Sequence, residues 1–342
     1  MGSIQIIWFK RDLRTSDHAP LHAAAKIGQP ILPLYIVEKE FWRQPTASRR
    51  HWSFIYDCLI DLNTELTGLG QPLVIRIGKA IDVFKSLHES HLIERIHASE
   101  ETGNNWTYCR DIAVRRFCAD NEITLNEYPS NGIVRKLKNR NDWSKIRNLR
   151  MKQKIIMRPK SIAPVANYYS DLLPDKNASI FGVKLDGKVQ VGGRKAAVSE
   201  LRSFLGYRSE RYLQNLSAPG LSEIYCSRLS AHLAWGTLSV REVVQAVNKR
   251  QTLLSIQDKK KFNRNLNAFK SRLAWRCHFI QKLEDQPEIE SLCMHPAFEG
   301  LRKQDEYESY FKAWATGYTG CLLYTSPSPR DVEESRLPAC GW

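Results

Sequence analysis

The first apolar run of the chain, Ile4–Phe9, is broken only by Gln5 and is rich in branched and aromatic side chains. A short continuous run of this kind is the pattern of a strand buried on both faces. It leads directly into a polar turn at 10–18, which carries the cations Lys10, Arg11 and Arg14. The pattern then alternates. Helices are predicted over 20–26, 50–69, 81–87 and 110–120, and strands over 30–37, 73–77, 92–97 and Thr124–Tyr128. In the second helix Phe54, Cys58, Leu59, Leu62 and Leu66 recur at helical spacing before Gly68 and Gly70. Strands alternating with helices across short connections predict a doubly wound parallel sheet. Ligands of such sheets lie beyond the carboxyl ends of the strands, where the 10–18 turn falls. No GxGxxG follows the first strand and no GxxxxGK[ST] occurs, so neither a dinucleotide fingerprint nor a P-loop accounts for the domain.

Periodicity weakens across 129–200, a stretch punctuated by Pro129, Pro159, Pro164, Pro174 and Gly192-Gly193. It reads as a connector whose basic segment, 135–160, is either a solvated face or a polyanion contact. Helical spacing returns over 196–204, 238–248, 265–283 and 306–316, with Leu266, Phe269, Leu273, Ile280 and Leu283 on one side of the third of these. The organisation expected is an α/β domain at 1–130, a connector at 131–197 and an all-α domain at 198–320. Beyond Gly320 the period is lost and Pro327 and Pro329 fall close together. Residues 321–342 read as a disordered tail or as foreign sequence joined to an interrupted helical domain.

Composition narrows the class. The 342 residues are 42% hydrophobic and 25% charged, as in ordinary globular proteins. Fifty-one Lys+Arg against 36 Asp+Glu leave a net charge of +15, which permits an anionic partner such as nucleic acid. No run approaches the roughly 20 apolar residues of a membrane span. The start of the chain has no secretory pattern, so a cytoplasmic, monomeric protein is expected. Eight scattered cysteines contain no CxxC pair, and no metal site is expected.

Three segments carry chemistry. The first is Trp8-Phe9-Lys10-Arg11-Asp12-Leu13-Arg14-Thr15-Ser16-Asp17-His18. The second is Cys226-Ser227-Arg228-Leu229-Ser230, followed by Trp235-Gly236-Thr237-Leu238-Ser239-Val240-Arg241. The third is Trp275-Arg276, with Trp314-Ala315-Thr316-Gly317-Tyr318-Thr319-Gly320 after it. Taken by themselves, Ser227 and Ser230 either cap a helix or offer small donors to an anion at its start. Trp275 and Arg276 are either a core indole with a snorkelling cation or a stacking platform beside a phosphate contact.

In order and spacing these segments resemble the photolyase/cryptochrome family over about 320 residues. The resemblance implies an all-α FAD-binding domain after the α/β domain. Cys226, Ser227, Arg228, Leu229 and Ser230 would hold the flavin diphosphate, with Tyr212 a further contact at looser spacing. Trp275, Arg276 and Arg272 would face damaged DNA, and Trp314 would be the outer member of an electron-relay chain. Two positions depart from the family pattern: Cys226 replaces a Thr, and Arg272 stands where dimer-repairing members carry Glu. Arg cannot accept a hydrogen bond from a lesion. The implied activity is light-driven repair of pyrimidine lesions by electron transfer from reduced FAD, with a second, antenna chromophore in the α/β domain. The alternatives are a cryptochrome-like photoreceptor, an inactive fragment, and a plain α/β nucleotide-binding module.

Overall fold

The computed structural model describes residues 3–182, 189–218, 220–301, 308–316 and 318. Strands β1 (Ile4–Phe9), β2 (Ile31–Val37), β3 (Val74–Ile77), β4 (Ile93–Ser99) and β5 (Thr124–Tyr128) form one parallel sheet in the order β3-β2-β1-β4-β5. The chain winds outward from β1 through β2 to β3, then returns to lay β4 against the other edge of β1. That reversal opens a crevice at the carboxyl ends of β1 and β4, where doubly wound sheets bind ligands.

All six residues of β1 are buried, and alternate ones enter different cores. Ile7 and Phe9 pack with the Ala19–Ile27 and Arg49–Thr67 helices, whereas Ile4, Ile6 and Trp8 pack with Ala80–Ser90 and Asn105–Asp120. Gln5, the one polar residue of the run, is satisfied inside. Its Nε2 donates to the Ala24 carbonyl at 3.2 Å, and its Oε1 lies 3.0 Å from His97 Nε2.

A third core joins the Arg194–Gly206, Val240–Leu253 and Ile256–Asp285 helices. The stretch read as a connector contributes to both sides. Trp143–Lys152 is a helix whose Trp143 and Met151 enter the helical core, while Ile162 and Phe181 enter the core beside the sheet. Most Lys and Arg of 135–160 stay exposed, but a few are engaged. Arg135 pairs with Glu127 at 3.2 Å and with Glu284 at 3.8 Å, Arg140 with Asp285 at 3.4 Å, and Arg147 is buried. Residues 288–342 form a separate unit whose described part includes the Glu308–Thr316 helix.

The turn after β1 docks on the segment that opens the Val240–Leu253 helix. Leu13 N–H donates to the Trp235 carbonyl at 3.1 Å, and Arg14 Nη1 to the Gly236 carbonyl at 2.8 Å. Asp17, buried and in the left-handed region at φ 51°, accepts from Ser239 Oγ (2.5 Å), Arg241 Nη2 (2.5 Å) and Nε (3.1 Å), and Ile156 N–H (3.0 Å). These donors hold its carboxyl below the ordinary range against the opposing effect of burial. Gly236, at φ +68°, lies so close that a Cβ would fall 2.2 Å from the Arg11 carbonyl oxygen.

Removing one partner of a buried ion pair strands the other, so Asp17→Ala should lower the unfolding free energy by about 3–5 kcal/mol in urea. Arg115→Ala, which breaks the outer pair with Glu127, should cost under about 1 kcal/mol. Equal costs would show that the docking turn is not the stronger element.

Candidate functional site

Two hollows share Trp235 in their walls. The first is a cleft of about 610 Å³ whose wall includes Tyr212, Cys226, Ser227, Arg228 and Ser230, together with Arg50, His51, Val189 and Gln190. Local backbone geometry puts these residues there. The Leu221–Tyr225 helix stops at an extended Cys226 (φ −79°, ψ 162°), Arg228 turns through the left-handed region at φ 59°, and the Ser230–Ala234 helix begins. Gln190 Nε2 donates to the Arg228 carbonyl at 2.6 Å, which ties residues 189–190 to this bend.

The bend does not use its hydroxyls as caps. Leu229 is the N-cap position of the five-residue Ser230–Ala234 helix, and no side chain caps it. Ser227 Oγ accepts only a long 3.4 Å bond from Leu229 N–H. So short a helix has little dipole to offer, and the donors available to an anion are the Ser227, Ser230 and Cys226 side chains beside the cations Arg50 and Arg228. Leu229 itself is buried in the helical core and its side chain does not line the cleft. Tyr212 stands edge-on to Phe204 at 5.6 Å and to Phe269 at 5.9 Å, and burial pushes its hydroxyl up to about 12, with Cys226 adding to the shift.

The Ile256–Asp285 helix separates the residues expected to face DNA. Trp275 is 53% exposed, and the Arg272 guanidinium lies over its ring at 5.0 Å. Arg276, about 100° further round the helix, turns inward, donates from Nη2 to the Leu233 carbonyl at 2.8 Å and lines the second hollow. Trp275 and Arg272 share a surface; Arg276 does not. Trp314 belongs to the Glu308–Thr316 helix, but its side chain lies outside the described residues, as does 321–342.

The second hollow, about 490 Å³, opens at the carboxyl ends of β1 and β4 against the helical segment 233–240. Lys10, Arg11, Ser99, Glu101, Trp235 and Arg276 are in its wall. The charges beneath it are largely paired. Lys10 meets Asp111 at 2.5 Å, and Arg110 bridges Glu38 and Glu101 at 2.9 Å each and Asp111 at 2.8 Å, while lying over the Trp8 ring. Asp12 accepts from His18 Nε2 at 2.9 Å, Ser99 Oγ at 2.6 Å and Lys10 N–H at 2.9 Å, and these contacts hold its carboxyl far below the ordinary range although burial opposes them. His18 Nδ1 accepts from Leu21 N–H at 3.1 Å, so the ring is the neutral tautomer with its proton on Nε2. Among the described residues no group of three or more His, Cys, Asp or Glu is arranged to hold a metal ion.

Comparison with known proteins decides the family. A family model described as DNA photolyase matches residues 5–156, and one described as the FAD binding domain of DNA photolyase matches 269–323. The chain belongs to the photolyase/cryptochrome family. It is 24% identical over 358 residues to a deoxyribodipyrimidine photo-lyase of Streptomyces griseus, spanning 99% of this chain and 72% of that one. A chloroplastic/mitochondrial cryptochrome DASH of Oryza sativa subsp. japonica is 30% identical over 108 residues, 30% of this chain and 19% of its own. In fold, a class III photolyase from Agrobacterium tumefaciens superposes with a TM-score of 0.75 at 21% identity, over 93% of this chain and 66% of its own. A photolyase from Sulfolobus tokodaii, described as holding two FAD molecules with a novel light-harvesting cofactor implied, superposes with a TM-score of 0.68 at 23% identity, over 94% of this chain and 68% of its own. This chain thus spans about two thirds of the length of those two photolyase structures.

Within this photolyase/cryptochrome scaffold, sequence reasoning missed Arg50, His51, Val189 and Gln190. They fall in two pairs with no motif around them, and only the fold brings them to the cleft. Buried neutral histidines add a pH dependence. Burial holds His97 and His232 down to about 4, helped at His97 by Arg95. Their folded values are lowered, so the unfolded chain takes up protons first, and stability falls as pH drops from about 6.5 toward 4. The expected loss by pH 5 is on the order of 2 kcal/mol for each. A urea midpoint as high at pH 5 as at pH 7 would contradict it.

Proposed function

We propose that this protein is a light-driven DNA-repair flavoprotein that binds FAD in the Cys226–Ser230 cleft and damaged DNA on the surface carrying Arg272 and Trp275. The observation that carries the reading is the cleft itself. Uncapped hydroxyls at Ser227 and Ser230 stand with Arg50 and Arg228 around a hollow of about 610 Å³, which suits the anionic diphosphate of a dinucleotide. The surroundings fit the cofactor, although the Cys226 thiol is a weaker donor than the Thr hydroxyl it replaces. When bound, FAD supplies the photochemistry and the electron for splitting a pyrimidine lesion.

The chain's own residues bind and orient. Ser227, Ser230 and Arg228 hold the diphosphate, and Tyr212, fixed between Phe204 and Phe269, walls the cleft. Trp275 offers an exposed indole on which an unstacked base packs, and Arg272 and the basic surface meet phosphates. The hollow at the strand ends is the place we assign to a second chromophore, because it sits at the sheet's switch point with Trp235 and Phe41 in its wall. The reading carries with it a monomer acting in the cytoplasm; among the described residues no helix is long and apolar enough to cross a membrane.

One observation favours a second reading. Arg272 presents only donors where a lesion needs an acceptor, as a cryptochrome-like photoreceptor without repair activity would tolerate.

Two measurements separate the readings. FAD should bind the 342-residue chain, and Ser227→Ala with Ser230→Ala should weaken it roughly tenfold or more, since each loses a hydrogen bond to a charged group. Illumination of the chain saturated with reduced FAD should then deplete pyrimidine lesions from DNA. Lesions left intact under that light, with photoreduction seen when the chain is loaded instead with oxidised FAD, would establish the photoreceptor reading, and failure to bind FAD would sink both.

A further inference from the structure

We propose that Trp235 is a positioning residue common to two ligand sites, its indole forming part of the wall of both the flavin cleft and the hollow at the strand ends. The inference rests on the reading that each hollow takes a planar aromatic ligand. Among the described residues, only His51 and Trp235 line both hollows, and His51 lies on the exposed surface of its helix.

Trp235 is held unusually firmly for a residue in a turn. Its carbonyl accepts from Leu13 N–H at 3.1 Å, and its own N–H donates to the Ala231 carbonyl at 3.0 Å. The next residue, Gly236, has no room for a Cβ against the backbone of Arg11 and Asp12. The backbone that carries the indole is therefore clamped between the sheet and the helical part. The ring is braced as well. The Arg11 guanidinium lies over it at 5.6 Å from the centroid, and Phe41 meets it nearly perpendicularly at 6.3 Å. A braced, half-buried tryptophan that enters both walls can present an aromatic surface to a ligand in each. An aliphatic side chain would line the walls but would offer no ring for a heteroaromatic ligand to pack against. A ligand in either hollow also inherits an orientation set by the same clamped backbone, so the turn after β1 positions both ligands through one residue.

The test isolates each hollow in the full chain by blocking the other. Thr46 lines only the hollow at the strand ends and Val189 only the cleft. FAD is titrated into a Thr46→Phe background to read the cleft, and FMN into a Val189→Phe background to read the other hollow. In both, Trp235→Ala should weaken binding roughly fivefold or more, as loss of a stacking surface does. Trp235→Phe should restore most of the affinity. Quenching of indole emission by the bound flavin should shrink in Trp235→Phe relative to its parent in both backgrounds, a signature that mere structural support would not produce. Weakening in one background only, or restored binding with unchanged quenching, would overturn the shared-wall assignment while the two-site reading stood. Absence of flavin binding in either background would remove the two-site reading itself, and this inference with it.

Discussion

The structure depends on a single buried contact, the seating of the 10–18 turn on residues 235–241. It joins the end of β1 to the start of the Val240–Leu253 helix through Asp17, Arg241, Ser239 and the bare backbone of Gly236. Each participant is constrained by the others. Asp17 must adopt a left-handed backbone to turn its carboxylate toward Ser239 and Arg241, and Arg14 donates to the Asp17 carbonyl oxygen from Nε and Nη2 at 3.2 and 3.0 Å. Ser239 serves two partners at once: its oxygen caps the helix by accepting from Glu242 N–H at 3.0 Å, and its proton goes to Asp17. The helix start and the strand end are thus built from the same hydrogen-bond network, and Trp235, common to the walls of both hollows, is tied to it through Leu13.

Charge is used more internally than a net +15 suggests. Lys10, Arg14 and Arg208 are buried with carboxylate or carbonyl partners, and two cations of the basic segment after β5, Arg135 and Arg140, pair with Glu127, Glu284 and Asp285. Burying a cation is tolerable only when carboxylates or carbonyls satisfy it. Arg110 shows how completely that is achieved, with three carboxylates around it and two indoles, Trp8 and Trp106, beneath. A surface charge count taken from composition therefore overstates what remains to meet a polyanion. The Arg272–Trp275 face remains a candidate because its cation stays outside.

Much of the fold was legible because its pattern is local. Apolar runs marked β1 and β2, shorter branched or aromatic stretches marked the other three strands, and helical spacing marked the helices between them, often to within a residue or two. The Trp143–Lys152 helix was not legible. It is ten residues long, its buried positions include an arginine, and its mean hydropathy is low, so no apolar stripe announces it. The candidate cleft divided along the same line. Cys226, Ser227, Arg228 and Ser230 are contiguous and were found together; Arg50, His51, Val189 and Gln190 come from distant segments and needed the fold. Leu229 and Arg276 show the remaining difficulty. Both sit inside recognisable segments, yet one faces the helical core and the other a hollow remote from its neighbour's surface, because adjacent residues of a helix or bend point in different directions.

That divergence of neighbours bears on how the protein divides its tasks. Trp275 and Arg276 are consecutive, and a single turn of helix gives one to solvent and the other to the wall beside Leu233. The Ile256–Asp285 helix therefore touches both the external surface and the hollow at the strand ends, while its Phe269 braces Tyr212 at the cleft. One 30-residue element thus carries the external face, lines the hollow at the strand ends and supports the cleft through Tyr212. A helix of that length holds its faces in fixed angular relation at 1.5 Å of rise per residue, so the separations along it do not depend on loops. Trp235 supplies the complementary constraint from the opposite side, tied to the sheet by the 10–18 turn. Between the helix and the clamped backbone of Trp235, the positions of the candidate sites are set by backbone rather than by flexible side chains.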